Sequence, residues 1–434
     1  MFRSNKKLMS EKLVFLLKKL KRKTWVRCVL FSLVAVLAIA LSMLLGPFIP
    51  EDTAVKLGAD ALGSLLNILA TSMLTVAVFS ASIMVSSFGF VATSATPRAS
   101  RLFVEDPTIQ NTLATFIGAF LYSIIALVGI HAHIYGGGGR LILFGFTLVI
   151  LLVVVVVLLR WMDFLSALGR MSETVARVQK ATADAMDQRL STPWLGGVPQ
   201  AAGAGGVYAI RAPTTGFVQH VSMDVLQQCA EKLGGMLHLH TLPGTFVEPS
   251  MPVVSSDVRI DAVQAKKISD AVLIEATRTF DHDPRFGLVV LAEIATRALS
   301  PAVNDPGTAQ AVLAASVKSF VYWVQHQPAV AAQTEPEFNQ VTAPALSEAR
   351  LLQDVFLPLS RYGARTVEVG CALQRALISI RRLNHSGFNA TLNELSDYAI
   401  GQAVHADLPD SDLQRLREAA RPFISLDNPD AKDR

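Results

Sequence analysis

Four stretches within the first 160 residues contain no Asp, Glu, Lys or Arg: 28–49, 61–91, 113–134 and 141–159. A helix rises 1.5 Å per residue, so about 20 apolar residues cross roughly 30 Å of hydrocarbon, and each stretch reads as a transmembrane helix. The first is too long for the apolar core of a signal peptide and lacks a clear small-residue cleavage site, which favours an anchor. The last two are joined only by Tyr135, four glycines and Arg140, which predicts a tight antiparallel hairpin.

After 159 the pattern changes. Residues 160–190 combine helix formers with a Glu173–Arg177 pair at i, i+4, and they predict an extension of the fourth span as a helical stalk. Pro193, Pro199 and the glycines of 191–206 break it and read as a linker. Across 207–256, short apolar runs at Val207–Ala212, Phe217–Val221, Met236–Thr241 and Phe246-Val247 alternate with Gly and Pro around a helical Met223–Leu233, predicting a small β module. Residues 257–425 read mainly as helices, clearest at Val263–Arg278, Phe286–Ala298, Gly307–Gln325, Ser347–Arg361 and Glu368–Leu383, before a polar tail at 426–434. The predicted fold is therefore that of a mainly α membrane protein: four transmembrane helices followed by a cytoplasmic α+β region made of a small β module and a helical domain.

The second apolar stretch carries Ser64, Asn67, Thr71, Thr75, Ser82 and Ser86 at spacings that place them on one helical face. Two readings fit a stripe of hydroxyls and an amide without charge. It can let a neighbouring helix approach and hydrogen-bond, or it can line a wet pathway in which side-chain oxygens replace part of an ion's hydration. The absence of charge from every stretch argues against a proton-coupled or charge-relay transporter. His131 and His133 near the end of the third stretch read as a polar terminus, with pH sensing as the alternative.

Charge sets the orientation. Residues 1–27 hold ten Lys or Arg against Glu11, a local +9 that leaves −5 for the rest of a chain whose formal net charge is +4. This basic cytoplasmic tail, with Arg98 and Arg101 after the second stretch and Arg160, Arg170, Arg177 and Lys180 after the fourth, places both termini on the cytoplasmic side. Lys18, Lys19, Lys21, Arg22 and Lys23 beside a span predict attraction to anionic lipid and not to nucleic acid. Cys28, Cys229 and Cys371 lie far apart without metal-binding spacing.

Candidate chemistry is sparse. Asp281, His282, Asp283 and Arg285 form the densest ionisable cluster, with Arg297, Asn304, Asp305 and Thr308 bordering the next turn, and together they are the candidate functional loop of the cytoplasmic region. Asp283-Pro284 and Asp305-Pro306 also have the form of a capping carboxylate followed by proline at the first helical position. His238 and His240 share a strand face, as two metal ligands would, but no further zinc ligands can be assigned. With no catalytic, nucleotide or metal signature in view, no catalytic residue, cofactor or metal is expected.

Two segments carry a resemblance: Thr93-Ser94-Ala95-Thr96-Pro97-Arg98 with Arg101-Leu102-Phe103, Asp106 and Gln110, and the run from Arg297 through Ser300-Pro301-Ala302-Val303-Asn304-Asp305-Pro306-Gly307-Thr308-Ala309. They resemble a bacterial family catalogued as "predicted membrane protein" of unknown function. The resemblance implies an inner-membrane location, without a reaction or a ligand. The leading expectation is a homo-oligomeric channel or channel-like permeation protein gated through its cytoplasmic domain. The alternatives are a membrane-anchored sensor or scaffold that binds a ligand or protein and, third, a membrane-associated enzyme.

Overall fold

The computed structural model describes residues 61–427 except 105, 202, 204 and 328–334, together with scattered positions between 29 and 48. The basic tail, most of the first expected span and residues 428–434 of the C-terminal tail lie outside the described residues. The chain is mainly helical and divides into two compact units, one running to Arg170 and the other beginning at Met171 and including Ser94–Thr96.

In the first unit, α1 (Leu62–Ser94), α3 (Pro107–His131) and α4 (Gly137–Ala167) are long and apolar enough to cross a membrane, with the short α2 (Pro97–Val104) between the first two. Leu62, Leu66, Tyr122, Ala126, Tyr135 and Leu143 form its core. The Tyr122 hydroxyl, buried between α3 and α4, hydrogen-bonds to the Leu143 carbonyl at 3.2 Å and to Thr147 Oγ1 at 2.9 Å, which satisfies a polar group that hydrocarbon could not. The hairpin falls earlier than expected. His133, at φ 53°, turns the chain, Tyr135 lies flat against Gly129, and the glycines expected as the turn form the first turn of α4.

The continuous stalk expected over 160–190 is absent. α4 ends at Ala167, Gly169 takes φ 88°, and a new helix, α5 (Met171–Ser191), packs into the core of the second unit against α8 (Pro284–Ala298) and α9 (Pro306–Gln325). The physical reason is the single left-handed glycine, which an α-helix cannot pass through.

The second unit also departs from a contiguous β module followed by helices. A 3-10 turn (Pro193–Gly196) leads into β1 (Gly197–Pro199). β2 (Tyr208–Arg211), β3 (Gly216–Val221), α6 (Met223–Leu233), β4 (Leu237–Leu239), β5 (Phe246–Val247), β6 (Pro252–Ser256), α7 (Ala262–Ser269) and β7 (Val272–Glu275) follow. After α8 and α9 come β8 (Phe338–Ala343), α10 (Glu348–Tyr362), α11 (Val367–Arg381), α12 (Ser386–His405) and α13 (Asp410–Asp427). One sheet has the order β1-β8-β4-β6-β2, and the other the order β5-β3-β7. The expected linker and the expected helical domain therefore each supply a strand to the first sheet, β8 pairing in parallel with both β1 and β4. The expected helix Val263–Arg278 stops at Ser269, and Val272–Glu275 pairs with β3 instead. The helices close over a core in which Phe320 stacks near Phe356 at 5.8 Å and meets Phe388 edge-on at 5.5 Å.

Candidate functional site

Each helical step turns about 100°, which puts Ser64, Asn67, Thr71, Thr75, Ser82 and Ser86 on one side of α1 and Leu62, Leu66, Leu69, Ala70, Met73, Ala77 and Ser80 on the other. The second set is buried, and all six stripe residues are exposed. Among the described residues, nothing packs over the stripe. Thr71, Thr75 and Ser82 return their hydroxyl protons to the carbonyls of Asn67, Thr71 and Val78 at 2.9, 2.9 and 3.0 Å, leaving their oxygens facing outward as acceptors. The Asn67 carboxamide makes no hydrogen bond among the described residues.

The candidate loop separates into two places. Asp281, His282, Asp283 and Arg285 sit at the start of α8, while Arg297, Asn304, Asp305 and Thr308 sit at its end and at the start of α9. Fifteen residues of helix span about 22 Å, so the two groups do not converge on one ligand. The outcome corrects the single-loop expectation, and its cause is the uninterrupted apolar face of α8, whose Leu288, Leu291, Ile294 and Ala295 are buried.

At the start of α8, Asp283 is only 4% exposed. It accepts from Arg278 Nε at 2.7 Å and from the Phe286 amide at 3.2 Å. Burial raises its pKa, while Arg278 pulls the other way. Arg278 also lies over the Phe286 ring, 5.1 Å from its centre. Arg285 makes a two-point pair with Asp354 at 2.7 and 2.9 Å, which holds its guanidinium above its usual pKa. His282 meets His220 with ring centres 5.1 Å apart, and burial, then His282, lowers the pKa of His220. Arg189, near the end of α5, is 7% exposed, and burial brings its pKa down to about 10. Arg189, Arg278 and Asp354 escaped the sequence reading because their places in the cluster come from packing between distant segments. From the turn between β4 and β5, the Gly244 backbone, at φ 90°, presses on the Asp283 carboxylate.

At the other end, the Asp305 carboxylate accepts from the Thr308 hydroxyl at 2.6 Å and its amide at 3.0 Å, and these bonds hold its pKa below the ordinary carboxylate range. Asn304 makes the turn at φ 48°, and Arg297 is exposed. A lowered carboxylate pKa stabilises the fold above the ordinary value of about 4, and that contribution is lost as pH falls through the folded value. Replacing Thr308 by valine is expected to return Asp305 toward the ordinary value, as read by carboxyl carbon NMR across an acid titration.

Of the two histidines, His238 lies in β4 and His240 just past its end, and both are tied to neighbouring strands. His238 hydrogen-bonds to Thr342 Oγ1 at 2.9 Å and Asp257 Oδ1 at 3.0 Å, and His240 to Ser255 Oγ at 2.8 Å. Among the described residues no three His, Cys, Asp or Glu side chains gather as a metal cage.

With this geometry in view, the sequence profile of the family described as "Predicted membrane protein (DUF2254)" matches residues 21–379. The chain belongs to this family. Both ends of α8 and the whole α1 stripe fall inside the family's matched span, whereas α13 lies beyond it. Uncharacterized proteins of Mycobacterium bovis and of Mycobacterium tuberculosis are 27% identical over 267 residues, 58% of this chain and 50% of theirs. The chain thus spans about half the length of these curated relatives. No solved structure matches it significantly.

Proposed function

We propose that this membrane protein is a homo-oligomeric channel or channel-like permeation protein of the bacterial inner membrane. The observation that carries the reading is the exposed stripe on α1, opposite the face that the chain uses for its own packing. Polar groups turned to hydrocarbon cost free energy unless they meet water or a partner, and Asn67, with no hydrogen bond among the described residues, bears most of that cost. A few spanning helices enclose little space by themselves, so copies around a closed symmetry axis are the natural way to turn the stripe onto water. α4, whose Val149, Leu152, Val155 and Leu159 are exposed and apolar, supplies a lipid-facing surface in the same assembly. In this reading both termini are cytoplasmic, the basic N-terminal tail meets anionic lipid, the second unit gates the path, and no catalytic step is required.

The test joins subunit counting in lipid nanodiscs to planar-bilayer recording. Wild-type protein is expected as a ring with the stripe on its axis and measurable conductance. Changing Asn67, Thr71 and Thr75 together to leucine is expected to abolish conductance while preserving membrane insertion. A strictly monomeric particle, or unchanged conductance in the triple variant, would sink the proposal.

A further inference from the structure

α1 ends at Ser94 and α3 begins at Pro107, so the short α2 lies between two helices long and apolar enough to cross a bilayer. Both of its ends are held close to those spans. Pro97 follows Ser94 by three positions, and at the far end the Gln110 carboxamide, in the first turn of α3, donates to the Val104 carbonyl at 3.1 Å. Between these contacts the Asp106 amide donates to the Phe103 carbonyl at 3.1 Å, and the Asp106 carboxylate caps α3 by accepting from the Thr108 amide at 2.7 Å. Eight residues of helix are about 12 Å long, and a helix tied at each end to a membrane span lies along the bilayer surface.

The two faces of α2 suit that position. At about 100° per residue, Ala99 and Phe103 fall together, and both are buried, at 0% and 1% exposure. Arg98, Arg101 and Val104 fall on the opposite face, and all three are exposed. The helix contains no acidic residue. Two guanidiniums one turn apart therefore stand on the outer face of a surface helix, beside the apolar Val104. Thr108, Gln110 and Asn111, in and just after the first turn of α3, match the polar composition of the headgroup level.

We infer that the outer face of α2 binds the phosphate of an anionic phospholipid, shared between the Arg98 and Arg101 guanidiniums. A guanidinium meets phosphate through paired N–H donors and gives up its hydration more readily than an ammonium does. Val104 faces the acyl boundary next to them, as the apolar part of an interfacial helix does. Each basic side chain at an anionic surface contributes about a fivefold preference. The site is separate from the basic N-terminal tail, and it stands whether or not the membrane unit conducts.

The test reads lipid identity beside α2 in the full-length protein. Val104→Cys, in a chain also carrying Cys28→Ser, takes a bimane label, since Cys229 and Cys371 are buried. The labelled protein is placed in phosphatidylcholine vesicles holding a small fraction of lipid with a nitroxide high on its acyl chain, either phosphatidylglycerol or phosphatidylcholine. The anionic quencher is expected to be enriched around the label roughly five- to thirty-fold over the zwitterionic one. Arg98→Gln with Arg101→Gln is expected to erase the preference. Replacing Lys18, Lys19, Lys21, Arg22 and Lys23 by glutamine is expected to leave it in place. If the double glutamine variant fails to insert, salt at about 1 M reads the same contribution in the chain with both arginines, because screening to about 3 Å is expected to remove the preference. Equal quenching by the two lipids overturns the proposal, and so does no quenching by either, which would mean that protein or water covers this face. A preference that survives loss of both arginines or high salt also overturns it, as does one that disappears with the tail charges, which would assign the lipid to the tail.

Discussion

Replacing Asp283 by alanine is expected to destabilise the second unit by about 3–5 kcal/mol, the usual cost of leaving a buried charge without its partner. Three losses coincide at this residue. Arg278, held at 2.7 Å, loses its counter-charge, the Phe286 amide loses the cap of α8, and Arg189 loses the opposing charge of Asp283. Urea unfolding of the full chain, with pulse proteolysis reading the population of the open state, measures the effect. The double change Asp283→Leu with Arg278→Met is expected to recover part of the loss, because removing both partners leaves no bare charge. If the single change costs less than about 1 kcal/mol, within the range of an exposed pair, the cluster is wet and Asp283 is not a buried charge.

Gly244→Ala is expected to cost about 2–6 kcal/mol through two separable effects. The backbone stands at φ 90°, where a residue with a side chain bears strain of about 1–3 kcal/mol. The new Cβ would also overlap the Asp283 carboxylate, adding an overpacking penalty of about 1–3 kcal/mol. Gly234→Ala separates the two, since Gly234 at φ 66° has open space where its Cβ would stand and pays only for the backbone. Gly244→Ala should therefore be clearly more destabilising than Gly234→Ala. In a background already carrying Asp283→Ala, its excess over Gly234→Ala should shrink, because the carboxylate that it strikes is gone. Equal costs at the two glycines in the wild-type chain would mean that the loop moves aside freely.

Both effects depend on contacts between segments far apart in sequence, and the same division runs through the whole chain. Local signals were legible. The spans at 61–91, 113–134 and 141–159 appear as α1, α3 and α4, and Met223–Leu233 appears as α6 with the same bounds. The two Asp-Pro starts cap α8 and α9 as their chemistry requires, with each carboxylate accepting an amide from the first turn. These features depend on hydrophobic period and on capping within a few residues, and both are written along the chain.

What could not be read was which distant segments meet. Nothing in Phe338–Ala343 announces that it will pair with both Gly197–Pro199 and Leu237–Leu239, since strand pairing is settled by the whole domain's packing and the strands are too short to carry a strong pattern. Arg189 and Asp283 stand 94 positions apart, and their neighbourhood exists only because α5 and α8 pack through Thr182 and Gly287. The α1 stripe shows both halves of the lesson. Periodicity alone placed Ser64, Asn67, Thr71, Thr75, Ser82 and Ser86 on one face, because the angle per residue is a property of the helix itself. Only the tertiary structure showed that this face lies opposite the packed one and is exposed among the described residues, because burial depends on which side of α1 the neighbouring helices occupy.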